Sequence, residues 1–239
     1  MFIYHAKDKN KRGHITTTLR TNNRSTPLRK SSFSPRSPHQ QPQAQPPPKI
    51  HLPENFMAVS AQIVYTGDTA NIPIVARVSL TDYRGNVVLD TLVRPTHEVT
   101  NYRTAETGLV AAHLVNAPLF REVQHRVASL IRDKIIVGHN LWLFLSVMGI
   151  SHPTINTRDV AAFVPFRRGL GCGSTTPPLH VLVHRLMGRS MGLGYEHPLE
   201  NARAALDLYR SAERAWESAI DFGSWPCALP PVGYAEYFL

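Results

Sequence analysis

The chain has 239 residues, enough for one domain of ordinary size with terminal segments. Its formal charge of +9 invites a nucleic-acid reading, but residues 1–50 hold ten of the 26 Lys and Arg and one of the 17 Asp and Glu, so the whole excess lies there and bulk charge is no argument that the rest grips phosphate. Two cysteines, Cys172 and Cys227, exclude a disulfide framework or cysteine metal motif, and no apolar run approaches the roughly 18–20 residues of a membrane span or makes a convincing signal peptide.

Residues 1–50 are polar and Pro-rich, ending in Pro42-Gln43-Ala44-Gln45-Pro46-Pro47-Pro48. Too few large apolar side chains are present to offset ordering entropy, so a disordered basic tail is expected. Its clusters Lys7-Asp8-Lys9-Asn10-Lys11-Arg12 and Arg29-Lys30 fit a nuclear address or a loose arm that contacts nucleic acid. The acid-poor, Arg/Ser/Thr-rich composition fits a mitochondrial transit peptide as well, and a plain solvated linker is the third reading.

From residue 57 to about 219 the pattern is that of a folded domain. Ala58–Tyr65 reads as a buried strand. Ile74–Leu80 alternates, with Val75, Arg77 and Ser79 opposed to Ile74, Ala76, Val78 and Leu80. Asp82-Tyr83-Arg84-Gly85-Asn86 is turn chemistry, and Val87–Val93 completes an antiparallel meander. Leu119, Val123, Val127 and Leu130 recur at helical spacing over Pro118–Ile131. A short strand Ile135–Gly138, a helix Asn140–Met148 and a strand Thr154–Asp159 follow. A Gly-rich loop Gly169–Gly173 then precedes a helix over Pro178–Met187. The last helix runs over Leu199–Ala219 with Ala202, Ala205, Leu206, Tyr209, Ala212 and Trp216 on one face, and Trp142 and Trp216 are both expected in the core. Three antiparallel strands followed by short strands alternating with helices make an α/β mixed sheet of the ribonuclease H-like kind. Residues 220–239 form a Pro- and aromatic-rich tail whose Tyr234, Tyr237 and Phe238 dock either on the domain or on a partner.

Several segments carry a family resemblance, in order along residues 58–217. Arg77-Val78-Ser79 falls in the second strand. Val93-Arg94-Pro95-Thr96 and Val99-Thr100-Asn101-Tyr102-Arg103-Thr104 resemble "V-K-P-T…V-T-D-Y-R-T", and Gly108-Leu109 the "S-G-I" that follows. Val137-Gly138-His139-Asn140 resembles "V-G-H-A", Arg158-Asp159 "R-D-T", and Ala202–Tyr209 the closing "D-A-x-A-x-x-x-L-Y" helix. Together they resemble the DEDDh 3′→5′ exonucleases, in the branch of RNA exonuclease 4 and the interferon-stimulated 20 kDa exonuclease.

The resemblance implies two metal ions held by four acids, with a histidine as general base. Here the first two acid positions align with Ser60 and Gln62, the third with Phe144 and the fourth with Asn201. The histidine position aligns with Glu196, and His197 is one place away. Ser is short and neutral, Gln and Asn keep shape without charge, and Phe144 puts an apolar ring where a hydrated dication belongs. Neither metal nor any other cofactor is therefore expected, and magnesium or manganese enters only if Glu196, Glu200 or Asp68 supply rearranged ligands. Asp159 belongs to the "R-D" segment, outside the metal set.

The remaining candidates are nucleic-acid contacts. Tyr102, Arg103 and Thr104 either touch a backbone or lock the meander to the helices. His139 borders the former cleft or is a capping, core-satisfied histidine. Arg167 and Arg168 either contact phosphate or form a solvated turn. The expectation is a catalytically degenerate exonuclease-like domain that binds RNA or a protein partner, with ribosomal RNA processing in the nucleus as the setting the resemblance implies and an active metal-dependent RNA exonuclease as the alternative.

Overall fold

The computed structural model describes residues 51–68, 71–172 and 175–238; the basic segment 1–50 lies outside them, as do Gly173 and Ser174 of the Gly-rich loop. Strands β1 (Phe56–Thr66), β2 (Ile72–Asp82) and β3 (Val87–Leu92) form the expected antiparallel meander. Its second turn is held by Asp82, whose carboxylate accepts the backbone N–H groups of Arg84 and Asn86 at 2.8 Å. Then come β4 (Val99–Asn101), the one-turn helices α1 (Thr104–Thr107) and α2 (Ala111–Leu114), α3 (Phe120–Ile131), β5 (Ile135–Gly138), α4 (Leu141–Met148) and β6 (Thr157–Asp159). Helices α5 (Val164–Gly169), α6 (Leu179–Met187) and α7 (Pro198–Asp221) complete the domain. The sheet order is β3-β2-β1-β5-β6, with β5 parallel to both β1 and β6.

Both faces of the sheet are covered, which explains the nearly continuous apolar run of β1. Phe56, Ala58, Ile135 and Val137 face α6 and α7, whereas Met57, Val59, Val78, Leu80 and Ile136 face α3 and α4. The α7 stripe buries Ala202, Ala205, Leu206, Tyr209 and Trp216, and the Trp216 indole stacks on Phe163 with ring centroids 4.0 Å apart. Each large apolar side chain so buried contributes about 1.5–3 kcal/mol. Arg158, the one buried Lys or Arg among the described residues, makes two 2.7 Å hydrogen bonds to Glu217, to which Tyr209 donates at 2.8 Å.

Four expectations need correction. A bulge places Gln62 opposite Arg77 and Ile63 opposite Val75, leaving Ala76 as an extra residue. It reverses the phase of β2, so Val75 joins Val78 and Leu80 in the core while Ala76 packs with Val64, Leu109 and Leu114. The buried stripe of α3 ends in Ile131 rather than Leu130, and Leu119 is half-exposed at the helix start. Arg167 and Arg168 lie on α5, not on a turn. Trp142 is half-buried rather than core, because it supports the C-terminal segment. That segment docks on the domain: Ala228 N–H donates to the Ala162 carbonyl at 2.8 Å, His152 N–H donates to the Tyr237 carbonyl at 2.9 Å, and the Tyr234 ring sits 4.5 Å from Trp142.

Candidate functional site

The groove arises from a break in pairing along one edge of β1. Strand β5 pairs with residues 56–58 and β4 with Tyr65 and Thr66, so the edge between them is left open. The chain leaves β5 at Gly138, where a Cβ would lie 2.6 Å from Leu141 Cδ2 and 3.0 Å from the Val59 carbonyl oxygen. It turns into α4 through Asn140, which is left-handed with φ of 55°. Asp159 fixes that turn, its carboxylate accepting the N–H groups of Asn140 (3.0 Å), Leu141 (2.8 Å) and Ala161 (3.0 Å). On the opposite side Arg103, also left-handed with φ of 49°, opens α1. A non-glycine residue in this conformation costs about 1–2 kcal/mol, less for Asn, so Arg103 and Asn140, together with Asn71 (φ of 38°), mark an over-determined site around one groove.

The groove has a volume of about 990 Å³ and is bordered by β1, α1 and the starts of α4, α6 and α7. It lies beyond the carboxyl end of β5, the usual place for a ligand in a parallel sheet. Ser60 is half-buried on its floor. Phe144 borders it too, but at 4 % exposure its ring belongs to the core between the sheet and α3/α4. Gln62 is 1 % exposed and its amide is committed as a donor, to the Thr107 carbonyl at 2.9 Å and the Glu196 carbonyl at 2.6 Å.

The other aligned positions form one polar cluster. Asn201 donates through Nδ2 to Glu196 Oε1 at 3.4 Å, and Arg103 lies 3.6 Å from Glu196 Oε2 and 3.2 Å from Glu106. Burial pushes the Glu196 carboxyl above the usual carboxylate range, with the Glu106 charge acting in the same direction against Arg103 and Asn201. His197 caps α7, its Nδ1 accepting from Leu199 N–H at 3.3 Å. His139 borders the groove and is also satisfied, with Nε2 2.8 Å from the Pro177 carbonyl oxygen, and burial lowers its pKa so that the imidazole is neutral at pH 7.

Of the Tyr102-Arg103-Thr104 segment, only Arg103 borders the groove. Tyr102 packs with Val64, Leu109 and Leu114, and Thr104 donates to the Leu109 carbonyl at 2.8 Å. Arg168 is exposed on α5, and Arg167 lines a separate cavity. Glu200 borders the groove, where it accepts from Gly192 N–H at 3.3 Å, while Asp68 is exposed on the turn after β1. Asn140, Trp142, Glu106 and Tyr234, none of them expected as a nucleic-acid contact, also border the groove. The available signal was Asn140 itself, an αL-tolerant residue placed just before an apolar helical run.

The residues at the aligned acid positions do not fit a hard divalent cation. Phe144 offers no ligand atom, both Gln62 N–H groups point at carbonyl oxygens, and Asn201 is turned toward Glu196. Among the described residues no three His, Cys, Asp or Glu side chains are grouped to hold a metal.

Residues 63–150 match the exonuclease family model. RNA exonuclease 4 of Mycosarcoma maydis is 35% identical over 170 residues, which cover 70% of this chain and 45% of that protein. RNA exonuclease 4 of Candida glabrata is 33% identical over 162 residues, covering 68% of this chain and 61% of that protein. The corresponding figures for Mus musculus RNA exonuclease 4 are 33%, 73% and 40%, so the chain spans roughly half the length of these relatives. Among solved structures, the Neurospora crassa Pan2 catalytic unit (protease and nuclease domain) superposes with a TM-score of 0.58 at 18% identity, over 73% of this chain and 29% of that one. The Saccharomyces cerevisiae Pan2 pseudoubiquitin hydrolase-RNA exonuclease module in complex with AAGGAA RNA gives 0.59 at 23%, over 70% of this chain and 30% of that one. These similarities identify the mixed sheet as a ribonuclease H-like exonuclease fold.

Proposed function

We propose that this chain carries a DEDDh exonuclease-like domain and that this domain binds single-stranded RNA without hydrolysing it. The observation that carries the reading is the amide of Gln62, which donates to two backbone carbonyls at a position where the family resemblance implies a metal-binding acid. A carboxylate has no proton to give there, so the position is rebuilt as a structural clip. Phe144, Ser60 and Asn201 complete a neutral set, and two-metal hydrolysis needs anionic oxygen ligands. The groove, with Arg103 on one wall and Trp142 and Tyr234 at the far end, retains features suited to a strand: one cation and aromatic surface. The names of the relatives, RNA exonuclease 4, support RNA as the ligand; ribosomal RNA maturation in the nucleus is the setting we propose for it from the family resemblance alone.

Arg103 is partly neutralised by Glu106 and Glu196, so most of the phosphate affinity falls to the basic segment 1–50. Anisotropy of a fluorescein-labelled RNA decamer in EDTA tests this. Binding by the full chain is expected, with its salt dependence largely lost on deleting residues 1–50 and residual affinity reduced by Arg103→Ala. Absence of RNA binding by the full chain would refute the proposal.

A further inference from the structure

A second cavity, of about 440 Å³, lies between the C-terminal segment and the ends of β6 and α4. It falls in the size range of small-molecule sites and has the same chemistry: mostly apolar walls with a few placed polar groups. Two of the three tryptophans, Trp142 and Trp225, line it, as does Arg167. The polar groups are unequal. Asp159 is saturated by its three N–H donors, Thr157 donates to the Thr154 carbonyl, and Thr154 donates to the Phe238 carbonyl. Asn140 differs. Its Oδ1 is buried and has no hydrogen-bond partner among the described residues. A buried acceptor left unpaired costs about 1–3 kcal/mol, so a rotation of the Asn140 amide that brings Oδ1 to a donor held in the cavity is favourable.

We propose that this cavity is a nucleobase pocket, taking a purine or pyrimidine ring against Trp142 and Trp225 with a ring N–H or amino group donating to Asn140 Oδ1. A mostly apolar cavity lined by two tryptophans suits a planar heterocycle, and the orphaned acceptor suits one that carries a donor. Asn140 and Trp142 also border the groove, so they form a shared wall between the two spaces. A base in the cavity and a backbone in the groove can therefore belong to one strand. That step rests on the RNA-binding reading; the fit of the pocket to a base does not.

Tryptophan fluorescence of the full chain reads the pocket directly, because the third tryptophan, Trp216, is wholly buried in the α7 core. AMP and UMP are expected to quench it saturably, and ribose 5-phosphate and inorganic phosphate are not. Asn140→Gly keeps the left-handed turn and removes Oδ1, and Ala162→Leu fills the cavity from its wall. Each is expected to weaken AMP binding about tenfold or more with the melting temperature nearly unchanged. Equal quenching by ribose 5-phosphate, no quenching by either nucleotide, or unaltered AMP binding by both variants would overturn the assignment. A parallel arm titrates the labelled RNA decamer. Weakening by the same two variants assigns the bound base to a strand, whereas AMP binding without RNA binding upholds the pocket with a free nucleotide as its ligand and rejects the RNA reading alone.

Discussion

Gln62 and Glu196 are 134 residues apart in the chain, and the side-chain amide of the first donates to the backbone carbonyl of the second at 2.6 Å. The same NH₂ group also reaches the Thr107 carbonyl, so one buried side chain ties β1 to the α1 turn and to the loop entering α7. A residue at a position where the family resemblance implies an acid thus holds the groove together.

This predicts an unequal response to restoring acids. Gln62→Glu places a carboxylate against two carbonyl oxygens and is expected to destabilise the domain by about 2–4 kcal/mol. Ser60→Asp, half-buried at the groove floor, is expected to change stability by less than about 1 kcal/mol. Urea denaturation of the two variants decides the matter; equal stability would show that the clip carries no weight.

Glu196 links pH to both stability and binding. Its folded-state pKa is raised, chiefly by burial and then by Glu106, so the ionised form is disfavoured by folding. Its contribution to stability is full below the unfolded carboxylate pKa and declines as pH rises through the folded value. Glu196→Gln is therefore expected to be at least as stable as the wild type at pH 7, and to bind RNA more tightly there by removing a negative charge from the groove wall. In the wild type, RNA affinity is expected to rise as pH falls through the same window, and in the variant that rise should vanish. Titrations between pH 4.5 and 7.5 would show it.

The Arg158–Glu217 pair has the opposite sign. Burial alone would raise the Glu217 carboxyl, but the hydrogen bonds and charge of Arg158, with the Tyr209 hydroxyl, hold it below the usual range. Its stabilisation is present above the unfolded carboxylate pKa and is lost as pH falls through the folded value. Arg158→Ala, which strands Glu217 beside the α7 core, is expected to cost about 3–5 kcal/mol. Chemical denaturation at pH 7 and pH 4 should show that loss shrinking at the lower pH.

Much of the fold was legible because it is periodic. The α7 stripe from Ala202 to Trp216 and the apolar run of β1 follow from spacing alone. The Ala76 bulge was not legible, since one extra residue leaves composition unchanged while reversing which side chains face the core. The site was legible only as a set of replacements at Ser60, Gln62, Phe144, Glu196 and Asn201. What those residues do instead depends on contacts between distant segments, such as Gln62 with Thr107 and Glu196, which no local pattern encodes. The seating of Tyr234 on Trp142 was open for the same reason.

The central claim is that the groove binds a strand without cutting it. The most direct measurement incubates 5′-labelled single-stranded RNA with the full chain and millimolar magnesium or manganese, and follows both retention and length. The account predicts retention of RNA at full length over hours. Stepwise shortening from the 3′ end that is abolished by Glu196→Gln or Glu200→Gln would contradict it and establish a working nuclease with rearranged ligands.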